Sequence, residues 1–411
     1  MTTAPLSSPA SSSASSSASS SASADVFLPT LPGRYYTDPA IFELEQRNIF
    51  SRQWQYVCRG QDLPTPGRFV RAAVGNENVI VVRGRDQRLR AFLNVCRHRG
   101  ATLCAADSGD VGRSIRCRYH AWSYRLDGSL MSAPNWHTMA AANKDELGLH
   151  PVQLAEFAGL VWVNLAAEPP SLDELLWQQL DYRLGGDRAK FLRYDLAGLV
   201  AGHRIDYSVA ANWKIIQENF QECYHCATIH PELVDTLPQF RDISSIPGYV
   251  ADGYHFADGK ASFSVSGQAA LPRLPGLTER DERRYYGMVL RPNCFLSLLP
   301  DHVIVHRFQA VSPELTTVTC EWLFPPETIA GYDVADTVEL FHRVNVQDFD
   351  ATESCQPNRK SRAYADGGVL VPLEQEIIGR WYYQWYRESM ELDSVPLDSV
   401  PPPAANLGGT Q

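Results

Sequence analysis

The sequence predicts an α+β fold in which a small all-β domain is followed by a larger domain of helices and strands. Between residues 54 and 166, short alternating runs of apolar and polar residues are separated by turn residues, as in antiparallel strands. From residue 167 to 395, such runs occur together with stretches of helical period. They do not follow the regular order of a parallel-sheet protein, and Pro169-Pro170 marks the boundary.

The length and composition are those of a globular protein. The chain has 411 residues, of which 44% are hydrophobic and 20% charged, so it can bury two cores. Its net charge is -10 and its basic residues are scattered, which excludes the basic surface typical of nucleic-acid binding. Because no run of 18 apolar residues occurs, we expect no membrane span. The expected partner is therefore a small molecule or another protein.

Both ends of the chain are biased in composition. Residues 1–24 are nearly all Ser and Ala, with no basic start and no apolar segment, unlike a secretory signal. A transit peptide would contain arginines, and the first is Arg34. We therefore expect residues 1–30 to form a disordered tail and residues 396–411 to form a matching frayed end.

The cysteines indicate the redox compartment. Their number, nine, is odd, and their spacings suggest no disulfide framework in a chain of this length. Disulfides are rare in proteins of reducing compartments. The sequence therefore favours a cytoplasmic protein.

The elements of the first part can be placed one by one. Asp38-Pro39 supplies an N-cap and a proline at the first helical position, which predicts a helix running to about Trp54. Residues 31–53 are expected to pack this helix on the second domain. Asp127-Gly128 has the form of a tight hairpin turn. Further strands are predicted at residues 69–74, 79–83, 89–94 and 159–165.

The second part mixes both periods and contains no internal repeat. Ser171 and Glu174 have the spacing of a capping box, which predicts a helix start. Alternation predicts strands, and helical period predicts helices, in two sets of segments. The strands are expected at residues 198–208, 303–311 and 316–324, and the helices at 212–230 and 333–355.

One group of metal-binding residues lies in the all-β part. Cys96 and His98 form C-x-H, and after eighteen intervening residues Cys117 and His120 form C-x-x-H. Two thiolates and two imidazoles on paired loops can hold a [2Fe-2S] cluster in which two histidines bind one iron and two cysteines the other. The alternative is a structural Cys2His2 zinc site. Zinc sites usually pair cysteine with cysteine, whereas each half here carries one ligand of each type, which favours iron and sulfur.

These motifs carry a family resemblance. C-R-H-R-G and C-R-Y-H-A-W resemble the Rieske domain of the Rieske non-haem iron oxygenases. Respiratory Rieske proteins add a cysteine in each loop, where this chain has Ala101 and Tyr119. The resemblance implies a Rieske domain over residues 54–166 and a helix-grip-like, antiparallel-sheet catalytic domain with a mononuclear iron over residues 167–395.

A second group lies in E-N-F-Q-E-C-Y-H-C-A-T-I-H-P, residues 218–231, which is too dense in metal-binding atoms for an ordinary core helix. His225 and His230 are about 140° apart on an ideal helix, which keeps them from binding one ion. Pro231 pushes the preceding residue out of the helical conformation, so His230 can turn back. We interpret the two histidines as ligands of one iron.

The third ligand is expected on the helix at 333–355. Two histidines and one carboxylate leave open positions on ferrous iron for O2. Asp348 lies on the apolar stripe of this helix, whereas Asp350 is about 200° round from it and expected to face solvent. A buried carboxylate without a partner is costly, so Asp348 is the favoured ligand. A buried salt bridge is the alternative role for it.

Other interpretations of the same stretch stay open. Cys223 and Cys226 form a C-x-x-C that could bind zinc or act in redox chemistry, although no second cysteine pair accompanies it. The two histidines could also be unrelated core residues.

The resemblance extends to this stretch. E-C-Y-H-C-x-x-x-H-P is similar to the mononuclear-iron motif of the family, which implies His225, His230 and Asp348 as ligands. Glu222 stands where many members carry Asp. In the family this carboxylate links the iron to a Rieske histidine of a neighbouring subunit, which implies a homotrimer. The alternative for Glu222 is a surface or capping acid.

The resemblance implies a monooxygenase that uses O2 and electrons received at the Rieske cluster. The chain lacks G-x-G-x-x-G and plant-type ferredoxin motifs, so a separate ferredoxin-type or flavin reductase must deliver electrons from NAD(P)H. The E-C-Y-H-C form and the spacing of Asp348, Glu353 and Gln356 resemble the demethylases of quaternary ammonium compounds such as glycine betaine, stachydrine and carnitine. Alternatives are an aromatic-ring dioxygenase and a non-enzymatic Rieske electron carrier.

Four residues are candidates for the substrate pocket. Trp381 and Trp385 belong to an aromatic run that could hold a quaternary ammonium by cation–π contacts, or could simply pack a C-terminal helix on the sheet. His302 and His306 have a spacing of four on a predicted strand and are expected to face the same way. They line the pocket or are satisfied sheet residues.

Overall fold

The computed structural model describes residues 27–138, 143–242 and 253–392. The expected tail at residues 396–411 lies outside this range, as does most of the one expected at 1–30. Strand β1 (Leu28–Pro29) differs from that expectation, because it pairs antiparallel with Val369–Leu370. The Thr30 backbone N–H also donates to the carbonyl of Gly368 at 3.1 Å, so satisfied backbone bonds keep residues 28–30 in place.

The N-terminal helix begins where the sequence predicts and ends earlier. Asp38 accepts a hydrogen bond from the Ala40 backbone N–H at 2.8 Å, and α1 (Pro39–Glu45) is followed by a π-helical turn, Gln46–Phe50. Glu45 is buried, and its carboxylate contacts Lys214 at 2.6 Å and Tyr386 at 2.6 Å. This ion pair fixes the N-terminal segment against the second half of the chain.

The first half forms a seven-stranded antiparallel sheet and a three-stranded one. The large sheet has the strand order β2-β11-β10-β5-β4-β3-β6, and the small one β7-β8-β9. The C-x-H motif lies in the loop between Leu93 and Ser108, two ends of strands of the large sheet, and the C-x-x-H motif lies in the loop between Arg116 and Ser123 of the small sheet. The strands are β2 (Gln55–Arg59), β3 (Arg68–Val74), β4 (Glu77–Arg83), β5 (Leu89–Leu93), β6 (Ser108–Asp110), β7 (Ile115–Arg116), β8 (Ser123–Tyr124), β9 (Leu130–Ser132), β10 (Pro151–Phe157) and β11 (Leu160–Asn164).

The second half is built on a six-stranded antiparallel sheet with the order β12-β17-β16-β15-β14-β13. Its helices are α2 (Leu172–Leu184), α3 (Arg188–Leu192), α4 (Trp213–Gln221), α5 (Cys226–Ile229), α6 (Pro231–Thr236), α7 (Pro326–Gly331), α8 (Ala335–Cys355) and α9 (Glu374–Ser389). Its strands are β12 (Val200–Val209), β13 (Tyr254–His255), β14 (Arg284–Leu290), β15 (Cys294–Leu298), β16 (Val303–Ser312) and β17 (Leu315–Phe324), and β18 (Val369–Leu370) pairs with β1.

Both faces of this sheet are buried. Alternate residues of β16 point to opposite sides of the sheet, and each side packs against a different layer. Ile304 packs with Phe341 of the long helix α8. Val303 and Val305 instead pack with α2 and with Trp162 of the first half. The α+β class is confirmed, and the α8 side of the sheet is the side on which the second group of metal-binding residues lies. Among the described residues, no helix is long and apolar enough to cross a bilayer.

Candidate metal centres and active site

The first site lies at the tips of two similar loops. The Cys96 carbonyl accepts a hydrogen bond from the Gly100 N–H at 3.0 Å, and the Cys117 carbonyl accepts one from the Ala121 N–H at 3.1 Å. Gly100 and Ala121 both have positive φ, 72° and 59°, which closes each turn tightly. The two loops therefore present their ligands in matching positions.

The donor set of this site fits a [2Fe-2S] cluster. Cys96 and Cys117 are buried, whereas His98 is exposed and His120 half-buried, with ring centroids 4.5 Å apart. Two thiols inside and two adjacent imidazoles outside match a cluster with cysteines on the inner iron and histidines on the outer one. The Tyr124 hydroxyl lies 3.2 Å from Cys96 Sγ and can donate a hydrogen bond to it.

The second site forms where the predicted helix 212–230 is broken twice. Helix α4 stops at Gln221, and Glu222 is extended, with φ -127° and ψ 171°. His230 breaks the helix again, with φ -120° and ψ 64°, directly before Pro231. The expected turn at His230 is therefore present. The predicted helix 212–230 would contain both Glu222 and His225. In the structure they do not share a helix, because the extended Glu222 ends α4 before His225 is reached.

Three side chains meet at this double break. The Oδ1 atom of Asp348 lies 2.9 Å from Nε2 of His230 and 3.3 Å from Nε2 of His225. Asp348 is buried, as its place on the apolar stripe of α8 predicts, and Asp350 is exposed. Two imidazole nitrogens and one carboxylate facing a common point are the donor set of a mononuclear ferrous site with open positions.

Neighbouring side chains orient these donors. Glu222 contacts Nδ1 of His225, and Gln347 Oε1 lies 2.7 Å from Nδ1 of His230, so both imidazoles turn Nε2 toward Asp348. Asn219 donates to Asp348 Oδ1 at 2.7 Å. Such outer contacts set the tautomer and direction of metal-binding histidines. Sequence reasoning missed both: Asn219 lies in the stretch 218–231 and Gln347 directly precedes Asp348, but no spacing or periodicity marks either one as a partner of the donors.

The histidine and carboxylate donors of the second site shift each other's pKa in opposite directions. Burial lowers the pKa of His225, but hydrogen bonds to Asp348 and Glu222 outweigh burial and raise that pKa to about 11. Burial raises the pKa of Asp348, but hydrogen bonds to His225 and His230 outweigh it and lower that pKa to about 2. The carboxylates therefore require a positive partner here, which a divalent cation can supply in place of the imidazole protons.

The cysteine alternative is also visible at this site. His225, Cys226 and His230 offer ligand atoms within 4.8 Å of one another. Burial raises the pKa of the Cys226 thiol well above its ordinary value, which disfavours the thiolate that a metal needs. Asp348 is already ionised at neutral pH, so the carboxylate is the better third donor.

A cavity opens beside the three donors. Its empty space is about 820 Å³, part of which is open to solvent, and His225, His230 and Asp348 are part of its wall. Most of the remaining wall is apolar and includes the aromatic residues Phe220, Phe240, Tyr254, Phe263, Tyr285, Phe295 and Phe341. A metal held by the three donors would therefore face a mainly apolar chamber that contains several aromatic rings.

The structure separates the four pocket candidates. His306 lines the cavity, but His302, Trp381 and Trp385 do not. His302 precedes β16, so the alternation of that strand does not direct its ring, which is buried against Phe324. Trp385 packs instead in the aromatic cluster of α9 with Trp213, 6.4 Å between centroids. Trp381 is 43% exposed. The run on α9 thus packs a helix, the second of the two roles considered for it.

Comparison with known proteins identifies both halves of the chain. Residues 53–145 match the family model described as "Rieske [2Fe-2S] domain". Residues 196–392 match the model described as "Ring hydroxylating alpha subunit (catalytic domain)". The two matches cover the two sites described above, one each.

Relatives of the whole chain include enzymes with different substrates. The glycine betaine monooxygenase oxygenase subunit of Pseudomonas aeruginosa is 30% identical, over 88% of this chain and 89% of its own. The biphenyl 2,3-dioxygenase subunit alpha of Rhodococcus jostii is 32% identical, over 90% and 91%. A crystal structure of the quaternary ammonium Rieske monooxygenase CntA with its substrate γ-butyrobetaine is 26% identical and covers 90% of this chain and 97% of that one, with a TM-score of 0.69.

Proposed function

The chain belongs to the Rieske non-haem iron oxygenases, and from that premise we propose that it hydroxylates an N-methyl group of a betaine-type quaternary ammonium compound. Hydroxylation of N-CH3 gives N-CH2OH, which releases formaldehyde and leaves the demethylated amine. The proposal is carried by one observation: a mainly apolar chamber, with seven Phe and Tyr rings among the described residues of its wall, ends at the group formed by His225, His230 and Asp348.

In this proposal the ligands are those that the geometry brings together. Cys96, His98, Cys117 and His120 hold the [2Fe-2S] cluster, and His225, His230 and Asp348 hold the iron. When bound, the cluster supplies single electrons and the ferrous iron supplies open positions for dioxygen. Asn219 and Gln347 keep the donors aligned, and the apolar wall excludes bulk water from the reacting methyl group.

The aromatic wall suits a cation that has no N–H to donate. Tyr285 lies 4.8 Å from Phe263 and 6.0 Å from Tyr254, measured between ring centroids, and all three line the cavity. A trimethylammonium group over such faces gains about 0.5–2 kcal/mol from each ring. An uncharged arene has no positive charge for a cation–π contact with these rings.

A basic group at the cavity suits the other end of a betaine. Arg183, in the last turn of α2, is the only Arg or Lys among the described residues of the wall. A guanidinium pairs well with a carboxylate. In this proposal Arg183 faces the substrate carboxylate while the ammonium group occupies the aromatic end.

The oxygenase works with partners. The family needs a separate reductase, and we propose a ferredoxin-type or flavin reductase that passes electrons from NAD(P)H to the exposed His98 side of the cluster. We further propose a cytoplasmic homotrimer in which Glu222 also contacts a Rieske histidine of the neighbouring copy. The Glu222 side chain is 19% exposed, so an edge of it is accessible while it contacts His225.

Formaldehyde release tests the proposal. The purified chain is loaded with iron and supplied with NADH, a generic flavin reductase and a panel of betaines and arenes. We expect one formaldehyde per NADH with at least one betaine, and a raised KM for that betaine in R183Q with little change for choline, which has no carboxylate. Arene-dependent NADH consumption with cis-dihydrodiol product and no formaldehyde would instead establish ring dioxygenation, to which the apolar wall and the biphenyl relative also point.

A further inference from the structure

Two cysteines of the iron-site segment have no role in the proposed function. Cys223 and Cys226 form its C-x-x-C, and both line the cavity beside the three donors. Cys223 is half-buried and Cys226 is buried. All nine cysteines of the chain lie among the described residues, and no other one lines this cavity. The cavity therefore contains a single pair of thiols, next to the proposed iron.

A turn brings the two cysteines together. The Cys226 backbone N–H donates to the Cys223 carbonyl at 3.1 Å, which closes a four-residue turn directly before α5. The end Cα atoms of such a turn are less than about 7 Å apart, and a disulfide spans about 4.4–6.8 Å. The side chains are also in contact, since burial raises the pKa of the Cys226 thiol and a hydrogen bond to the Cys223 side chain raises it further. The backbone thus holds the pair at a separation that a disulfide can bridge.

The pair lies beside the atoms that would hold the metal. Cys226 Sγ is 3.8 Å from Nε2 of His225, the nitrogen that faces Asp348. Ligand atoms of His225, Cys226 and His230 lie within 4.8 Å of one another. Dioxygen that accepts two electrons and two protons without oxidising a substrate leaves as hydrogen peroxide. The two thiols are therefore among the first groups that peroxide released at these donors meets.

We propose that Cys223 and Cys226 are a peroxide-reactive dithiol that is oxidised reversibly to an intramolecular disulfide. The sulfur of Cys223, the more exposed of the two, attacks one oxygen of hydrogen peroxide. The O–O bond breaks, an S–OH group forms, and the other oxygen leaves as water. The sulfur of Cys226 then displaces the hydroxyl, so that an S–S bond forms and a second water leaves. In sum, two thiols lose two electrons and one peroxide becomes two waters.

The pairing decides what oxidation does to this wall of the cavity. A cysteine S–OH group without a neighbouring thiol is oxidised further to sulfinic and sulfonic acids, which thiols do not reduce. A neighbouring thiol traps it as a disulfide instead, and transient disulfides of this kind occur in reducing compartments. The inference goes beyond the proposed function, because it requires peroxide at the donors and no particular substrate.

Mass spectrometry tests the proposal directly. The reduced, iron-loaded chain is treated with hydrogen peroxide, free thiols are alkylated, and the peptide that carries both cysteines is analysed. We expect a cross-link between Cys223 and Cys226, seen as the loss of two hydrogens and of two alkylation sites, and its reversal by dithiothreitol. Added peroxide needs neither reductase nor substrate, so failure of the betaine assay would leave this result standing. Peroxide that leaves both thiols free, or links other cysteines instead, would overturn the proposal.

Variants separate a pair from one reactive thiol. C226S removes the second sulfur, so Cys223 should accumulate sulfinic and sulfonic acids that dithiothreitol does not reverse. C223S should abolish the cross-link as well. The control C355S changes the exposed cysteine at the end of α8 and should keep the cross-link of the parent. Equal amounts of sulfinic acid at Cys223 in C226S and in the parent would refute the role of Cys226.

Discussion

The two candidate metal sites of this chain differ in how far they are exposed to solvent. The Rieske site lies on loop tips with His98 exposed, whereas the iron site lies under α8, with His230 and Asp348 buried beside an aromatic chamber. An electron can enter through an exposed ligand, but dioxygen chemistry needs a site from which bulk water is excluded. The position of each site in the fold thus follows from what must reach it.

The sites also differ in how they are assembled. Both halves of the Rieske site use the same local device, a tight turn closed at Gly100 or Ala121. The iron site draws on two separate helical segments and is held by outer contacts from Asn219, Gln347 and Glu222. The turns of the first site are therefore formed locally within each loop, whereas the second site depends on how separate helical segments pack together. Four changes test this difference.

The largest effect is expected from D348A. Without its carboxylate, the iron site should lose the third iron of the chain while the two cluster irons, the acid-labile sulfide and the visible spectrum stay. Activity should fall by at least about 10³-fold, since a metal ion supplies several kcal/mol of transition-state stabilisation. D350N, two residues on and exposed, is the matched control and should keep three irons. A third iron in D348A would remove Asp348 from the ligand set.

E222Q should uncouple the two sites without emptying either. The amide oxygen can still accept from Nδ1 of His225, so iron content should change little. The negative charge that we propose to link the iron site to the neighbouring copy is lost, and steady-state turnover should fall by about 10–100-fold, the range for outer contacts of metal ligands. Iron analysis and turnover are measured on the same sample. Full activity would leave Glu222 as an ordinary capping acid.

Y124F should act on the Rieske site alone. It removes the hydroxyl that lies 3.2 Å from Cys96 Sγ. A hydrogen bond to sulfur favours the reduced cluster, and a loss of about 1 kcal/mol corresponds to roughly 40 mV for one electron. We expect the reduction potential to fall by about this amount, as measured by redox titration, with iron content unchanged. A potential equal to that of the parent would show that this hydroxyl does not donate to the cluster.

The smallest effect is expected from C226S. If Asp348 completes the iron site, replacing the nearby thiol by a hydroxyl should change iron content and kcat by less than about twofold, since the buried thiol is protonated. C223S serves as the second member of the pair and should behave in the same way. Loss of metal in either variant would revive the C-x-x-C interpretation of this stretch.

The sequence by itself determined the parts whose signals are local. The α+β class, the paired C-x-H and C-x-x-H motifs, the turn-back of His230 before Pro231 and the inward face of Asp348 follow from spacing and periodicity within single segments. Only the tertiary structure decided the rest. The extended Glu222, the roles of Asn219 and Gln347, and the aromatic wall depend on contacts between segments far apart in the chain. The sequence also could not show that His306 lines the cavity whereas His302, Trp381 and Trp385 do not. No local pattern records which surface a helix or the end of a strand packs against.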